Sequence, residues 1–354
     1  MKKKILIMLS ILVIIGISTV IGYELLKKSN DNTNIKTNEN ISKVNEQSED
    51  EKTATIENVE IKDKEYDNQN IKQTNEYRNI AILGVDARAD SYDNTRSDCI
   101  IIASVNEETN DVKITSVYRD TYVYIEGYGF DKITHAYAYG GPELAVKTIN
   151  DNLDIDIDEY IAINFNAFVD IVDVLGGISI DVTNEEVDYI NKMVDGINSQ
   201  TGKNSSKVET SGKQILSGVQ ALAYSRIRYT SGGDFNRTDR ARTVLMATLE
   251  KAKTIDITDI LVLIDKLLPS VKTNISAVEI VKLASSIDKY DVTVSIGWPY
   301  ENSFYNDGVS YVVANTLESN VKRLHKEVFN EIDYGVSSKV KKYSEEIIEK
   351  TGIK

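Results

Sequence analysis

Arginine and aspartate occur together in three short segments of this 354-residue chain. All of its arginines except Arg78 and Arg323 lie in these segments. The segments are 84–88 continuing to 96–98, 118–120, and 226–228 continuing to 234–242. Guanidinium groups bind phosphate oxygens through paired hydrogen bonds, and carboxylates among them suit a hard divalent cation that shares those phosphates. These residue types predict a pyrophosphate site, and the alternative is a structural ion-pair network.

The start of the chain is cationic and then apolar. Residues 1–4 are Met-Lys-Lys-Lys, and residues 5–23 carry no charge. A helix of about 20 apolar residues crosses a bilayer, whereas the apolar region of a cleaved signal peptide is only about 7–15 residues long. The pattern predicts an uncleaved, single-pass signal anchor at 5–23 in the cell membrane, with the stub 1–4 in the cytoplasm and the remainder outside.

The overall composition restricts the partners of the chain. A formal net charge of −14 argues against a general basic surface for nucleic acid, so any polyanion must bind at a local arginine cluster. Cys99 is the single cysteine and cannot form an internal disulfide. We interpret it as a small buried residue rather than a nucleophile.

Patterns of apolar residues predict an α/β domain at 78–335, with a central mixed sheet flanked by helices. A strand at 78–83 leads to Asp86, and strands at 98–105 and 112–117 form a hairpin that brings Asp98 towards Arg119 and Asp120. Pro142 predicts the start of a helix after two glycines. The remaining expectations are a disordered polar linker at 24–77, a polar, mobile stretch at 191–212, a helix at 239–253, and a charged C-terminal tail at 336–354 that is an amphipathic helix or disordered.

Six segments within the core 78–253 together resemble the extracellular catalytic domain of the LytR-CpsA-Psr family of cell-wall ligases. They are GVDAR at 84–88, RSD at 96–98, SVYRDT at 116–121, KITHAYAYGG at 132–141, VDVLGGI at 172–178, and GVQALAYSRIR at 218–228 followed by 234–242. The short anchor and the polar linker are also similar to the architecture of that family.

The resemblance implies a transferase that moves an anionic glycopolymer, such as teichoic acid, capsule or another wall polysaccharide, from an undecaprenyl-pyrophosphate carrier to muramic acid of peptidoglycan, outside the membrane. It implies that Asp86 and Asp98 bind Mg²⁺ (or Mn²⁺). The candidate catalytic residues are Asp86, Asp98, Arg119 and Asp120. The candidate pyrophosphate-binding residues are Arg88, Arg96, Arg119, Arg226, Arg228, Arg237 and Arg240. Either Asp86 or Asp120 would accept the proton of the acceptor hydroxyl.

Three residues depart from the pattern of the family. Cys99 replaces a usual Thr, Thr134 a usual Asn, and Ala241 a usual Gln. Two other classes of function remain open: a hydrolase of the lipid pyrophosphate with water as acceptor, and a membrane-anchored, non-catalytic regulator of the cell envelope.

The histidines and two tyrosines need separate interpretation. His135 is expected at the end of a strand, with a structural role favoured over that of a base, and His325 is expected in solvent on a charged helix. Tyr137 and Tyr139 are candidates for stacking on sugar rings.

Overall fold

The computed structural model describes residues 76–87, 92–93, 95–228, 233–255, 264, 267–285 and 289–354. The predicted stub, the signal anchor and nearly all of the linker fall outside these residues. Within the described part of the chain, no helix is long and apolar enough to cross a membrane.

A six-stranded mixed sheet forms the centre of the domain, with the strand order β10-β3-β2-β1-β6-β9. Its strands are β1 (Arg78–Val85), β2 (Ser97–Asn106), β3 (Asp111–Val117), β6 (Glu159–Ile163), β9 (Val271–Thr273) and β10 (Asp291–Trp298). Strand β1 pairs antiparallel with β2 and parallel with β6, and β3 pairs parallel with β10. The predicted β2–β3 hairpin is confirmed, with Ile100 opposite Val117. Asp98 therefore lies near the residues that follow β3.

The pairing of β1 with β2 contains a β-bulge next to Asp98, one of the predicted catalytic residues. Gly84 lies opposite Cys99 and Val85 lies opposite Ser97, so the register shifts by one residue at Asp98. A Cβ atom added to Gly84 would lie only 2.9 Å from the Cβ of Cys99, and glycine allows this close approach of the two strands. Bulges of this kind redirect a side chain next to a functional site.

Among the residues that the structure describes, eight α-helices pack around the sheet. They are α1 (Ile133–Leu153), α2 (Phe165–Val174), α3 (Asn184–Thr201), α4 (Gly218–Ser225), α5 (Gly233–Ala252), α6 (Ala277–Ser285), α7 (Leu317–Phe329) and α8 (Ser338–Thr351). Helices α1, α7 and α8 pack on one face and α2, α5 and α6 on the other, while α2, α3 and α4 share an adjoining core. Alternate residues of β1 enter the two cores, Leu83 one and Ile82 the other. The predicted α/β fold with helices on both sides is confirmed.

Three two-stranded sheets complete the described structure. They are β4 (Tyr122–Ile125) with β5 (Gly129–Lys132), β7 (Ile178–Val182) with β8 (Gly212–Leu216), and β11 (Asn302–Asn306) with β12 (Ser310–Ala314). The β4–β5 hairpin, which the sequence patterns did not predict, leads directly from the 118–120 segment into α1.

Three local expectations were wrong or incomplete. Much of 191–212 belongs to helix α3, whose N-terminus carries a capping box between Thr183 and Glu186. His135 lies in the first turn of α1 rather than at a strand end. The backbone of α1 is kinked at Gly140 and Gly141, and the helix resumes at Pro142. The tail is the amphipathic helix α8, and its buried face joins the core.

Candidate active site

Arg119 joins two of the predicted catalytic carboxylates. Its Nη1 donates a short hydrogen bond to Oδ1 of Asp98, and its Nε lies 3.3 Å from Oδ1 of Asp120. All three side chains are largely buried, with exposed fractions of 15%, 21% and 12% for Arg119, Asp98 and Asp120. A guanidinium carries five N–H donors, so both contacts leave donors on Arg119 for a phosphate group.

Backbone hydrogen bonds hold the segment that carries Arg119. Tyr118 donates to the carbonyl of Trp298 at 2.9 Å, and Thr121 donates to the carbonyl of Tyr118 at 3.0 Å. Thr134, in the first turn of α1, donates to the carbonyl of Arg119 at 3.1 Å. The segment is thus tied to β10 and to α1, and the Arg119 side chain starts from a fixed backbone.

Asp120 also pairs with Lys132, which was not among the predicted site residues. Lys132 Nζ lies 3.0 Å from Oδ1 of Asp120. Burial alone would raise the pKa of Asp120, but the charges and hydrogen bonds of Arg119 and Lys132 outweigh it and lower that pKa. A carboxylate whose pKa is lowered is a weak proton acceptor, so this geometry favours a positioning role for Asp120 over that of a base.

A cavity of about 160 Å³ opens next to Asp98, between the sheet and the helices α2, α4 and α5. Its apolar walls include Ile82, Ile101 and Ile171, and all three are nearly fully buried. Arg228, also a lining residue, is exposed. The cavity therefore combines a hydrophobic interior with a charged, solvent-facing end. Its polar lining residues include Asp98, Asn164, Ser225, Arg226, Arg228 and Thr238.

The two arginines of the 226–228 segment face this cavity. Arg228 Nη2 lies 3.9 Å from Oδ2 of Asp98, and the guanidinium of Arg226 lies 4.5 Å from the ring centre of Phe165. Helix α4, which precedes them, begins with a capping box between Ser217 and Gln220. A Cβ added to Gly218 would lie 2.3 Å from the backbone oxygen of Val169, so only glycine permits this contact between α4 and α2.

Arg240 does not line the cavity, unlike Arg226 and Arg228. Its exposed fraction is 8%, its Nε donates to Oε1 of Glu186 at 2.9 Å, and its Nη1 donates to the carbonyl of Ile227 at 3.2 Å. These contacts connect α5 and α3 to the backbone between Arg226 and Arg228. The geometry therefore indicates that Arg240 positions the two cavity arginines.

The other predicted residues are placed less closely together. Arg96 is exposed, and its carbonyl accepts a hydrogen bond of 3.1 Å from the backbone N–H of Asp86. This bond places the end of β1 beside the start of β2. Arg88 lies outside the described residues, as does the side chain of Arg237.

The carboxylates can be assessed as a metal site from their chemistry. Asp86 and Asp98 stand at the ends of adjacent strands and offer hard oxygen donors, which suit Mg²⁺. Among the described residues, no group of three or more His, Cys, Asp or Glu side chains could hold a metal ion. The donor set fits Mg²⁺, which commonly takes one or two carboxylates and completes its shell with water and phosphate oxygens.

The structure separates the two tyrosines and corrects the expectation for His325. Tyr137 is buried, whereas Tyr139 is 40% exposed, so only Tyr139 can meet a sugar. His325 is fully buried rather than solvated. Its Nδ1 lies 2.6 Å from Oε2 of Glu331 and its Nε2 lies 3.0 Å from the carbonyl of Leu153. His325 therefore ties α7 to the end of α1.

Comparison with known proteins relates this geometry to a family. Residues 31–327 match the model of the LytR_cpsA_psr family. A relative from Bacillus subtilis (strain 168), the polyisoprenyl-teichoic acid–peptidoglycan teichoic acid transferase TagT, is 33% identical over 264 residues, covering 72% of this chain and 76% of the relative.

Solved structures agree with the sequence match. TagT bound to LI-WTA superposes with a TM-score of 0.59 at 30% identity, over 77% of this chain and 94% of that one. TagT with bound octaprenyl pyrophosphate lipid gives a TM-score of 0.56 at 28% identity, again over 77% and 94%.

Proposed function

Because this chain belongs to the LytR_cpsA_psr family, we propose that it transfers an anionic glycopolymer from a polyprenyl-pyrophosphate carrier to peptidoglycan. Relatives in this family are named as teichoic acid transferases that use a polyisoprenyl carrier, and one solved relative holds octaprenyl pyrophosphate. The substrates of this reaction require a catalytic domain outside the cell membrane, which agrees with the signal anchor that the sequence predicts at 5–23.

The observation that carries the proposal is the composition of the cavity. A polyprenyl pyrophosphate joins a long apolar chain to a compact anionic group. The cavity likewise joins apolar walls, such as Ile101 and Ile171, to the guanidinium groups of Arg226 and Arg228. Burial of the lipid chain would stabilise the complex by about 25 cal/mol per Å² of apolar surface, and the arginines would fix the position of the phosphates.

The side chains at the charged end would act mainly by position and charge. In phosphoryl transfer, charge develops on the equatorial and leaving oxygens, and prearranged donors stabilise it without reorganising. Arg119 is such a donor, because Asp98 and Asp120 hold its guanidinium before any substrate binds. Arg226 and Arg228 would bind the part of the pyrophosphate that stays with the lipid.

A metal ion is part of the proposal. Asp86 and Asp98 would hold Mg²⁺, which when bound would neutralise charge on the pyrophosphate oxygens. We assign the proton of the acceptor hydroxyl to the carboxylate oxygen of Asp86 that does not hold the metal, because both cations near the alternative, Asp120, contact the same oxygen of that residue and lower its pKa.

The test is a transfer assay with the full chain, a synthetic polyprenyl-pyrophosphate glycan and peptidoglycan fragments, in Mg²⁺ or in EDTA. We expect Asp98→Ala and Arg119→Ala to lower the rate of coupling by about 10²–10³-fold, the usual loss for a prearranged transition-state contact. Arg323→Ala is the matched control, because that arginine is half-exposed, contacts Glu327 at 2.7 Å and the ring of Tyr300 at 4.2 Å, and does not line the cavity.

The products separate the competing functions. Coupled product that requires Mg²⁺ and both residues supports the transferase and its site. Free phosphorylated glycan without coupled product would instead identify a hydrolase. Tight binding of the lipid without turnover would identify a regulator, and equal rates in Mg²⁺ and EDTA would remove the metal from the proposal.

A further inference from the structure

Two exposed tyrosines stack on each other outside the cavity. The rings of Tyr128 and Tyr139 have centroids 4.3 Å apart and planes inclined by only 10°. Both rings are exposed to solvent, with exposed fractions of 55% for Tyr128 and 40% for Tyr139. Exposed aromatic rings that are held in a fixed position are typical of binding surfaces rather than of the core.

Hydrogen bonds hold these rings in place. Tyr139 Oη donates to Oδ2 of Asp131 at 2.7 Å, and His135 Nδ1 lies 2.7 Å from the same oxygen. Tyr128 Oη donates to the carbonyl of Tyr139 at 3.3 Å. Side chains that are ordered before binding lose less conformational entropy when a ligand binds. Asp131 and His135 are therefore positioning residues for the ring of Tyr139.

The stacked pair is continuous with the candidate active site. Asp131, which holds Tyr139, precedes Lys132, and the ammonium of Lys132 lies 3.0 Å from Asp120 and 5.5 Å from the ring centre of Tyr311. Burial, and next the carboxylate of Asp131, raise the pKa of Tyr311, so this ring also lies within electrostatic reach of Asp131. An aromatic surface made of Tyr128, Tyr139 and Tyr311 therefore begins beside the Asp120 cluster.

The chemistry of the surface selects the kind of ligand. Aromatic faces carry partial negative charge and pack against the C–H groups on the faces of pyranose rings, while the phenol groups and Asp131 bind sugar hydroxyls. The carboxylates of Asp131 and Asp307 both influence Tyr311 and would repel a polymer that carries phosphate in every unit. A strand of N-acetylated sugars, in which every second sugar is uncharged, fits this surface better than a donor polymer with phosphate in every unit.

We propose that Tyr128, Tyr139 and Tyr311 form the binding surface for the glycan strand of the peptidoglycan acceptor. The inference rests on the proposed transferase function and assigns the acceptor side of the same site. A sugar ring stacked on Tyr128 or Tyr139 would leave the next ring of the strand near Tyr311 and Lys132. The surface thus orients the acceptor hydroxyl towards the Asp120 cluster.

Two measurements on the full chain test the proposal. The first is direct binding of soluble glycan strands, prepared from peptidoglycan without attached polymer, by calorimetry in the absence of donor and metal. The second is the KM for these strands in the transfer assay, compared with the KM for the lipid donor. Tyr128→Ala and Tyr139→Ala should each weaken glycan binding and raise the acceptor KM by roughly tenfold, as loss of an aromatic anchor does, with the donor KM unchanged.

Phe304→Ala provides the matched control, because Phe304 is an aromatic side chain with 66% exposure on the β11–β12 hairpin. Successive side chains of a strand face opposite ways, so it points away from Tyr305, which packs towards the proposed surface. Its removal should leave glycan binding and both KM values as in the wild type.

The results distinguish this inference from the proposed function. If the wild type couples polymer but the two tyrosine variants retain wild-type glycan binding and acceptor KM, the acceptor surface is wrong while the transferase stands. A selective rise in donor KM would also overturn it, by assigning the surface to the polymer. If the wild type binds glycan through these tyrosines yet transfers nothing, the transferase fails and the sugar-binding surface remains.

Discussion

Replacing Asp120 with asparagine keeps the shape of the side chain and removes its charge. Asp120 is 12% exposed and lies 3.0 Å from Lys132 Nζ and 3.3 Å from Arg119 Nε. In the variant, these two cations lose their shared carboxylate in a largely buried position. We expect the free energy of unfolding to fall, because an unpaired buried charge keeps its desolvation penalty without the compensating attraction.

The size of this loss follows from the distances. Two unit charges 3.0 Å apart attract by about 5.5 kcal/mol at an effective dielectric constant of about 20. Desolvation of the partly buried groups offsets part of this attraction, and hydrogen bonds to charged groups contribute about 1.5–3 kcal/mol net. Asp120→Asn should therefore lower the free energy of unfolding by about 2–3 kcal/mol at pH 7.

The pH dependence has a definite sign. The pKa of Asp120 is lowered in the folded state, so its contribution is complete above the pKa of an unfolded aspartate, about 3.9, and disappears as the pH falls through the folded value. The difference in stability between the wild type and Asp120→Asn should be constant from pH 7 to about 5 and shrink below about 4.

Urea denaturation of the full chain between pH 3 and 7 measures this difference. Asp195→Asn is the control, since Asp195 pairs with Lys207 at the same 3.0 Å but is 75% exposed. Exposed pairs of this kind contribute about 0–1 kcal/mol. A cost of Asp120→Asn no larger than that of Asp195→Asn, or a cost that does not shrink as the pH falls from 4 to 3, would refute the role of a buried charge network.

Two further predictions concern packing and buried hydrogen bonds. Gly218→Ala should lower the free energy of unfolding by about 1–3 kcal/mol, because its Cβ would meet the backbone of Val169. Gly196→Ala should stabilise helix α3 by about 0.5–1 kcal/mol, because nothing lies within 4 Å of the added methyl group. Thermal unfolding measures both variants, and a shift of the melting temperature in the same direction for both would contradict this prediction. His325→Phe should destabilise by about 2–4 kcal/mol, because it leaves Glu331 and the carbonyl of Leu153 without their partners. Chemical denaturation measures this loss, with Lys322→Ala, at an exposed position on the same helix, as the control. An unchanged free energy of unfolding for His325→Phe would contradict the prediction and show that water replaces the imidazole.

Much of the fold was predictable because its elements are encoded locally. The apolar runs of β1, β2 and β3, the proline that restarts α1 and the turn after α2 each carry a signal within a few residues. The errors occurred where tertiary packing decides. The sequence 191–212 is polar enough to suggest a loop, yet α3 buries Ile190, Val194 and Ile197 on one face. His325 shares a helix with many charges, and only the position of α1 shows that it is buried.

The candidate site was predictable in its residue types and less so in their roles. The aspartates and arginines that cluster in the sequence include Asp98 and Asp120, which both contact Arg119 in the structure. The part of Lys132 was missed, because its partner Asp120 lies across an unpredicted hairpin. Arg240 looked equivalent to its neighbours, and only its burial against Glu186 separates it from them. Capping patterns at Thr183 and Ser217 were signals in the sequence that would have located α3 and α4 better.

The bulge at Asp98 also bears on how the chain avoids misfolding. Ile100 and Ile102 pack in one core and Ile101 in the other, so both faces of β2 are apolar. Alternation of apolar and polar residues normally prevents a strand from slipping by one residue, because a slip would bury polar side chains. In β2 a slip would exchange one apolar face for another, so this pattern does not fix the register. The close contact between Gly84 and Cys99, with the register shift at Asp98 beside it, marks a single alignment of β1 and β2. The shift at the residue that contacts Arg119 therefore also fixes the register of the central sheet, and a mutation at this position would affect both the site and the sheet.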